Sequence, residues 1–264
     1  MELHSYEYIY GFKKRVVLIM LSYVPVLLVL LSYFTFYVGS LKSGVAFSDT
    51  FSYHLGKILS GMEVLNEKTG KSGREIPIQW LAIQISYLFI ISGYISEERQ
   101  NRIENITKYG TYGRWWQKKM HWFIGISGFY YLVVGLLLLL EVKVESLIRI
   151  PTDAEYVKSV FDTCAREIII YTAAFYMMNS LLLGIIQICL ELKVQGLIAF
   201  IIVIGMLLFE MFVEGMVLPC HLGMINRNAA VVGDIFLSNI LLFAEVIFVI
   251  VGMIIGRKIC KNGF

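Results

Sequence analysis

The composition of this 264-residue chain excludes a soluble globular domain. Hydrophobic residues make up 58% of it and charged residues only 16%, whereas a soluble domain carries roughly 25% charged residues. The net charge of +3 is small, and the basic residues are spread between apolar runs, which argues against a nucleic-acid partner. We therefore expect an all-α integral membrane protein.

Six apolar runs predict six membrane-spanning helices in a single transmembrane domain, residues 1–264. Each run approaches the roughly 20 residues that a helix needs to cross about 30 Å of hydrocarbon. The first run is too long for the apolar core of a signal peptide and lacks an A-x-A cleavage site, so we expect an uncleaved anchor. The predicted helices are 16–38, 78–95, 122–140, 168–190, 196–213 and 235–256.

The distribution of Lys and Arg predicts that both termini lie in the cytoplasm. With the N-terminus inside, 13 of the 23 basic residues fall in the inner segments, which are the shorter ones in total. Residues 39–77 then form a long extracellular segment. Residues 190–195 leave barely a turn, so the fourth and fifth helices should form an antiparallel hairpin.

The polar connection at residues 97–119 predicts a short amphipathic helix on the inner membrane surface. Ile103 and Ile106 stand at helical spacing among charged residues, which is the pattern of an interfacial helix. Aromatic and basic residues follow and should anchor the third helix at the interface. These interface anchors are Arg114, Trp115, Trp116 and Lys118.

Glu245 lies near the middle of the sixth predicted helix, between apolar neighbours. A charged side chain at that depth costs about 2.5–3.5 kcal/mol on insertion scales, so it must face protein, a cavity or water. Glu245 either fixes helix packing or lines a translocation path. Asn179 and Gln187 in the fourth helix are its predicted partners on that path.

Two glycine-containing segments near the C-terminus predict close backbone contacts. Residues 215–234 contain Pro219, Gly223 and Gly233 and are only partly apolar, so a short re-entrant element can form where protein shields its backbone. Gly252-x-x-x-Gly256 offers a close helix contact, although this spacing often arises by chance in apolar helices.

The sequence predicts no catalytic residues, no cofactor and no metal site. The four cysteines include no CxxC pair. Thr69-Gly-Lys-Ser72 matches the end of a phosphate-binding loop, but Leu65 stands in place of the first glycine. If the chain takes part in an energy-driven process, another chain must hydrolyse ATP.

Glu97-Glu98-x-x-x-Arg102 matches the EExxxR motif of intramembrane CAAX-like proteases, which is a minor alternative. In that family, histidines in later helices, usually in an FxxxH pattern, complete the site that the motif begins. The residues four positions before His54, His121 and His221 are not phenylalanine. The two glutamates stand at a helix end among other charges, where a solvated face is the ordinary explanation.

The chain resembles the membrane-spanning permease subunits of type two ABC exporters, especially small bacterial permeases of antimicrobial-peptide export and immunity. The resemblance covers residues 77–120 in detail and the whole chain in layout. It rests on Pro77-x-x-Trp80, Gly93-Tyr94, Glu97-Glu98, Tyr109-Gly110, Arg114-Trp115-Trp116 and Lys118.

The resemblance implies a bacterial plasma-membrane protein whose cytoplasmic connection is a coupling helix bound by a separate ATP-binding subunit. The expected partners are that subunit, a second permease chain, identical or different, and membrane lipid. A non-transport protein of bacteriocin immunity or sensing is the alternative. The coupling contacts implied by the resemblance are Glu98, Arg99, Arg102, Ile103, Ile106 and Tyr109.

Overall fold

The computed structural model describes residues 2–43, 51–62, 76–100, 109–148, 165–213, 218–232 and 234–262. In these ranges all regular structure is helical, which confirms the all-α part of the predicted fold class. In chain order the helices are α1 Glu2–Ser43, α2 Phe51–Leu59, α3 Ile78–Ile91, α4 Tyr94–Gln100, α5 Tyr112–Ile148, α6 Ala165–Glu191, α7 Gly196–Phe212, α8 Pro219–Leu222, α9 Ile225–Val232 and α10 Ile235–Asn262.

Five helical stretches within these ranges are long and apolar enough to cross a membrane. The remaining predicted span corresponds to α7, an apolar helix of 17 residues. At 1.5 Å per residue α7 is about 25 Å long, slightly less than the hydrocarbon core. The five stretches are Arg15–Gly39, Ile78–Glu98, Tyr112–Ile148, Ile168–Glu191 and Ile235–Lys261.

The long helices extend well beyond the apolar runs from which they were predicted. Helix α5 begins at Tyr112 rather than Trp122 and ends at Ile148 rather than Leu140. Its 37 residues span about 56 Å, so it is much longer than a bilayer core is thick. A hydrophobic run marks only the apolar middle of such a helix, because polar residues can extend the helix at both ends.

Helix α3 lies inside the bundle and packs against α1, α5 and α6. Two of its polar contacts join it to its neighbours through backbone carbonyls: Tyr130 Oη donates to Ile83 O at 2.9 Å, and Tyr176 Oη donates to Trp80 O at 3.0 Å. A buried tyrosine hydroxyl needs such an acceptor, so these bonds fix the register of α3 against α5 and α6.

Between α7 and α10 the chain forms two short helices, α8 and α9, which pack on each other and on α6. Cys220, Met224 and Asn228 in this pair are completely buried. Trp80 of α3 donates its indole N–H to Gly223 O, between the two helices, at 2.8 Å. Within the segment predicted to be re-entrant, residues 218–232 therefore form a compact helical element held against the bundle.

The predicted close contact at Gly252 and Gly256 is present. A methyl group added to Gly252 would lie 2.6 Å from Cγ2 of Ile185, and one added to Gly256 would lie 2.2 Å from the ring of Trp116. The missing side chains allow α10 to approach both α6 and α5 closely.

We predict that Gly196→Ala destabilises the protein. A Cβ at Gly196 would lie 2.4 Å from Cα of Gly93, a backbone atom that cannot move aside easily. Such overpacking costs about 1–3 kcal/mol, so the melting temperature in detergent should fall by several degrees. Gly205→Ala on the same helix is the matched control, since a methyl there meets nothing within 4 Å. Equal melting temperatures for the two variants would contradict the prediction.

Candidate coupling site at the break in the second membrane helix

The second predicted membrane helix is interrupted between α3 and α4. Gly93 has φ +79°, a left-handed conformation that glycine adopts without steric penalty. Helix α3 ends just before it, and α4 begins just after it at Tyr94. The break leaves carbonyls at the end of α3 and N–H groups at the start of α4 without helical partners.

Arg15 of α1 satisfies the carbonyls at the end of α3. Its Nη1 donates to Ile90 O at 3.2 Å and to Ser92 O at 2.7 Å, while Nη2 pairs with Glu97 Oε1 at 2.9 Å. The side chain is buried. A cation at a helix C-terminus is stabilised by the helix dipole and by the exposed carbonyls.

Glu191, the last residue of α6, satisfies the N–H groups at the start of α4. Its carboxylate accepts from the backbone N–H of Gly93 at 2.7 Å, of Ile95 at 3.0 Å and of Ser96 at 3.4 Å. Glu191 is completely buried. Its negative charge stands at the positive end of the α4 dipole, opposite in sign to Arg15 at the end of α3.

Lys119 of α5 contacts both α4 and Tyr109. Its Nζ lies 3.2 Å from Glu98 Oε2, donates to Tyr94 Oη at 3.2 Å and stands 5.8 Å from the centre of the Tyr109 ring. Both Lys119 and Tyr109 are buried. Lys119 therefore contacts residues on both sides of residues 101–108, through Glu98 before them and Tyr109 after them.

The predicted coupling contacts divide into two groups. Glu98 and Tyr109 lie against the buried Lys119, with Tyr109 buried and Glu98 partly exposed. Arg102, Ile103 and Ile106 fall outside the described residues, and so does the Arg99 side chain.

The four predicted interface anchors also fall into two groups, one buried and one facing outward. Trp115 and Trp116 are buried, and Trp116 donates its indole N–H to Met253 O of α10 at 2.9 Å. Arg114 is exposed and Lys118 is partly exposed. The two tryptophans therefore hold α5 against the bundle, and the two basic residues face outward.

The three candidates for the translocation path, Glu245, Asn179 and Gln187, lie at two different places in the bundle. Helices α6 and α10 run parallel, since Tyr171 bonds to Asn239 near one end and Cys189 bonds to Gly252 nearer the other. Glu245 thus stands at about the level of Asn179. Both are buried, and their side-chain polar atoms have no hydrogen-bond partner among the described residues.

Gln187 is separate from that pair. It donates to Leu88 O at 3.2 Å and lies 3.5 Å from Glu191 Oε1, so it belongs to the helix break.

Sequence reasoning missed Arg15, Lys119 and Glu191 as partners of the break. It treated Arg15 and Lys119 as basic residues that orient the chain or lie at the membrane interface, and it placed Glu191 in the short connection at residues 190–195. Glu97 and Glu98, which match the protease motif, are ion-paired with Arg15 and Lys119 respectively.

No family model, curated protein or solved structure matches this chain.

We predict that Glu191→Gln destabilises the helix break. Glutamine keeps the shape but loses the negative charge, and its amide would leave buried N–H groups of α4 unsatisfied at about 1–3 kcal/mol. The melting temperature in detergent should fall by several degrees, and amide hydrogen exchange should speed up at residues 93–100. Lys193→Gln, an exposed change two residues away, is the control and should leave both unchanged. Native exchange at residues 93–100 in Glu191→Gln would contradict the assignment.

Proposed function

We propose that this chain is the membrane-spanning permease subunit of an ABC exporter and moves a peptide or another amphipathic substrate. The observation that supports the proposal is the helix break between α3 and α4, which is held by side chains from other helices. Arg15, Lys119 and Glu191 tie α4 and the start of α5 to α1 and α6, next to the polar residues 101–108. Since the chain carries no ATP-binding motif, a separate ATP-binding subunit would supply the energy.

The contacts of Arg15, Lys119 and Glu191 connect residues 101–108 mechanically to the rest of the bundle. In the proposal Ile103 and Ile106 sit in a groove of the ATP-binding subunit, while Arg99 and Arg102 set register. A force on this segment acts directly on α4 and α5. It reaches α1 through Arg15 and α6 through Glu191, so closure of the ATPase would shift several helices together.

The substrate path in this proposal lies beside α6 and α10. Asn179 and Glu245 are at one level in adjacent helices, in an otherwise apolar region, which suits a path for amphipathic molecules. The outer faces of α7 and α10 carry exposed Ile201, Phe209 and Phe248. Lipid and a second permease chain would cover these faces.

The first test addresses the ATPase contact. The double variant Arg102→Glu with Ile106→Asp should abolish copurification of an ATP-hydrolysing subunit in mild detergent, because it reverses a charge and removes an apolar anchor. The matched control is Lys68→Glu with Val64→Asp, which makes the same charge change at the same spacing in the extracellular segment. ATP hydrolysis and mass spectrometry of the purified complex are the readouts.

Retention of the ATPase by the control and its loss from the double variant would support the proposal. Absence of any ATPase from the folded native chain would overturn it in favour of a non-transport protein of immunity or sensing. Loss from both variants would show a general defect rather than a coupling contact.

The second test addresses topology. With α7 as a sixth span both termini lie in the cytoplasm, whereas five spans would place them on opposite sides. We expect a fluorescent protein fused to either terminus to fluoresce in bacterial cells, and alkaline phosphatase fused to either terminus to be inactive. Active phosphatase at one terminus alone would show that α7 does not cross.

A further inference from the structure

A second polar cluster lies at the end of the bundle opposite the helix break. Helix α2 supplies His54, and α5 supplies Glu141 and Glu145 one turn apart on the same face. All three residues are buried, with exposed fractions of 0%, 6% and 0% respectively. The candidate ligand atoms of the three side chains lie within 4.8 Å of one another.

The cluster is enclosed by α1. The ring of Tyr33 stands edge-on to His54 with 5.7 Å between ring centres. Tyr37 donates its hydroxyl to the backbone carbonyl of Glu145 at 3.1 Å. Helix α1 therefore contacts both α2, at His54, and α5, at the backbone of Glu145.

The charges within the cluster do not balance. His54 Nε2 lies 2.8 Å from Glu145 Oε2, so a protonated imidazole could neutralise one carboxylate. Neither oxygen of Glu141 has a hydrogen-bond partner within the described ranges. A buried, unpaired carboxylate is strongly disfavoured, whereas buried carboxylates that coordinate a metal are common.

We propose that His54, Glu141 and Glu145 bind a divalent transition-metal ion, with zinc as the best fit. One imidazole and two carboxylates suit zinc, whereas magnesium and calcium prefer oxygen ligands alone. With neutral His54 the two carboxylates cancel the charge of the ion. A tetrahedral zinc ion holds its ligand atoms roughly 3.3–3.6 Å apart. Here His54 Nε2 and Glu145 Oε2 are 2.8 Å apart, and all three candidate ligand atoms lie within 4.8 Å of one another.

The metal would fasten α2 to the end of α5. Helix α2 also packs on α6, and directly after it the chain contacts the α8–α9 element: Asn226 N–H donates to Ser60 O at 3.0 Å. A metal at His54 would therefore brace this whole end of the bundle. Three protein ligands leave a fourth position open for water or another small donor.

The test is metal binding by the purified full-length chain in mild detergent. After dialysis against ZnCl₂ we expect about one zinc ion per chain by elemental analysis, and a higher melting temperature with zinc than with a chelator, because an ion that binds only the folded state stabilises it. MgCl₂ should give no such shift. Cobalt(II) should bind in place of zinc and give visible absorption typical of a four-coordinate site.

His54→Ala and Glu141→Gln test the ligands. Loss of a second-shell partner already weakens metal sites about 10- to 100-fold, so loss of a ligand should weaken zinc binding at least that much. His121→Ala and Glu210→Gln change an exposed histidine and a glutamate outside the cluster, and both should bind zinc like the native chain.

Two results would overturn the proposal. The first is a folded native chain with neither stoichiometric zinc nor a zinc-dependent melting temperature, which would leave a His54–Glu145 ion pair beside a protonated Glu141. The second is undiminished zinc binding by folded Glu141→Gln and His54→Ala variants. Neither result depends on an ATPase partner, so the exporter proposal stands or falls separately.

Discussion

The structure depends on the pairing of backbone groups where the second membrane helix is interrupted. Inside an apolar bundle an unpaired N–H or carbonyl costs several kcal/mol, so a broken helix persists only where other groups replace the lost bonds. Arg15 supplies donors to the end of α3, and Glu191 supplies acceptors to the start of α4. Because these side chains come from α1 and α6, the break also joins the first, second and fourth predicted spans.

The same requirement explains why Gly196 must be glycine. The end of α6 can reach the start of α4 only if the following turn lies directly against Gly93, and a methyl at Gly196 would overlap its Cα. The tight connection between α6 and α7 is therefore part of the helix break. Rigidity at this point is what allows a force on residues 101–108 to move several helices in our proposal, since a loose joint would absorb the displacement locally.

Hydrophobic periodicity and run length predicted the helical class and the apolar part of each long helix, because these depend on local composition. The charged contacts could not be predicted in this way. Arg15 and Glu97 are separated by 82 positions, and Glu191 and Gly93 by 98, so only the folded bundle brings them together. His54 and the glutamates of α5 are likewise far apart in sequence, and no short spacing motif links them. The apolar runs also gave no sign that polar residues would extend α5 past the membrane-sized segment.

The two ends of the bundle stabilise their buried charges in different ways. At the helix break Arg15 faces Glu97, Lys119 faces Glu98, and Glu191 accepts from three backbone N–H groups, so the protein itself supplies partners for these charges. At the opposite end two carboxylates share one imidazole, so at least one negative charge has no counterpart among the described residues nearby. A group in that position must either give up its charge by protonation or receive a cation from solution. Our proposal takes the second outcome, because two glutamates one turn apart on a continuous helix and a histidine from another helix already stand close together. Glu245 is also a buried carboxylate without a hydrogen-bond partner among the described residues, and this cluster differs from it in bringing a second carboxylate and an imidazole together within 4.8 Å.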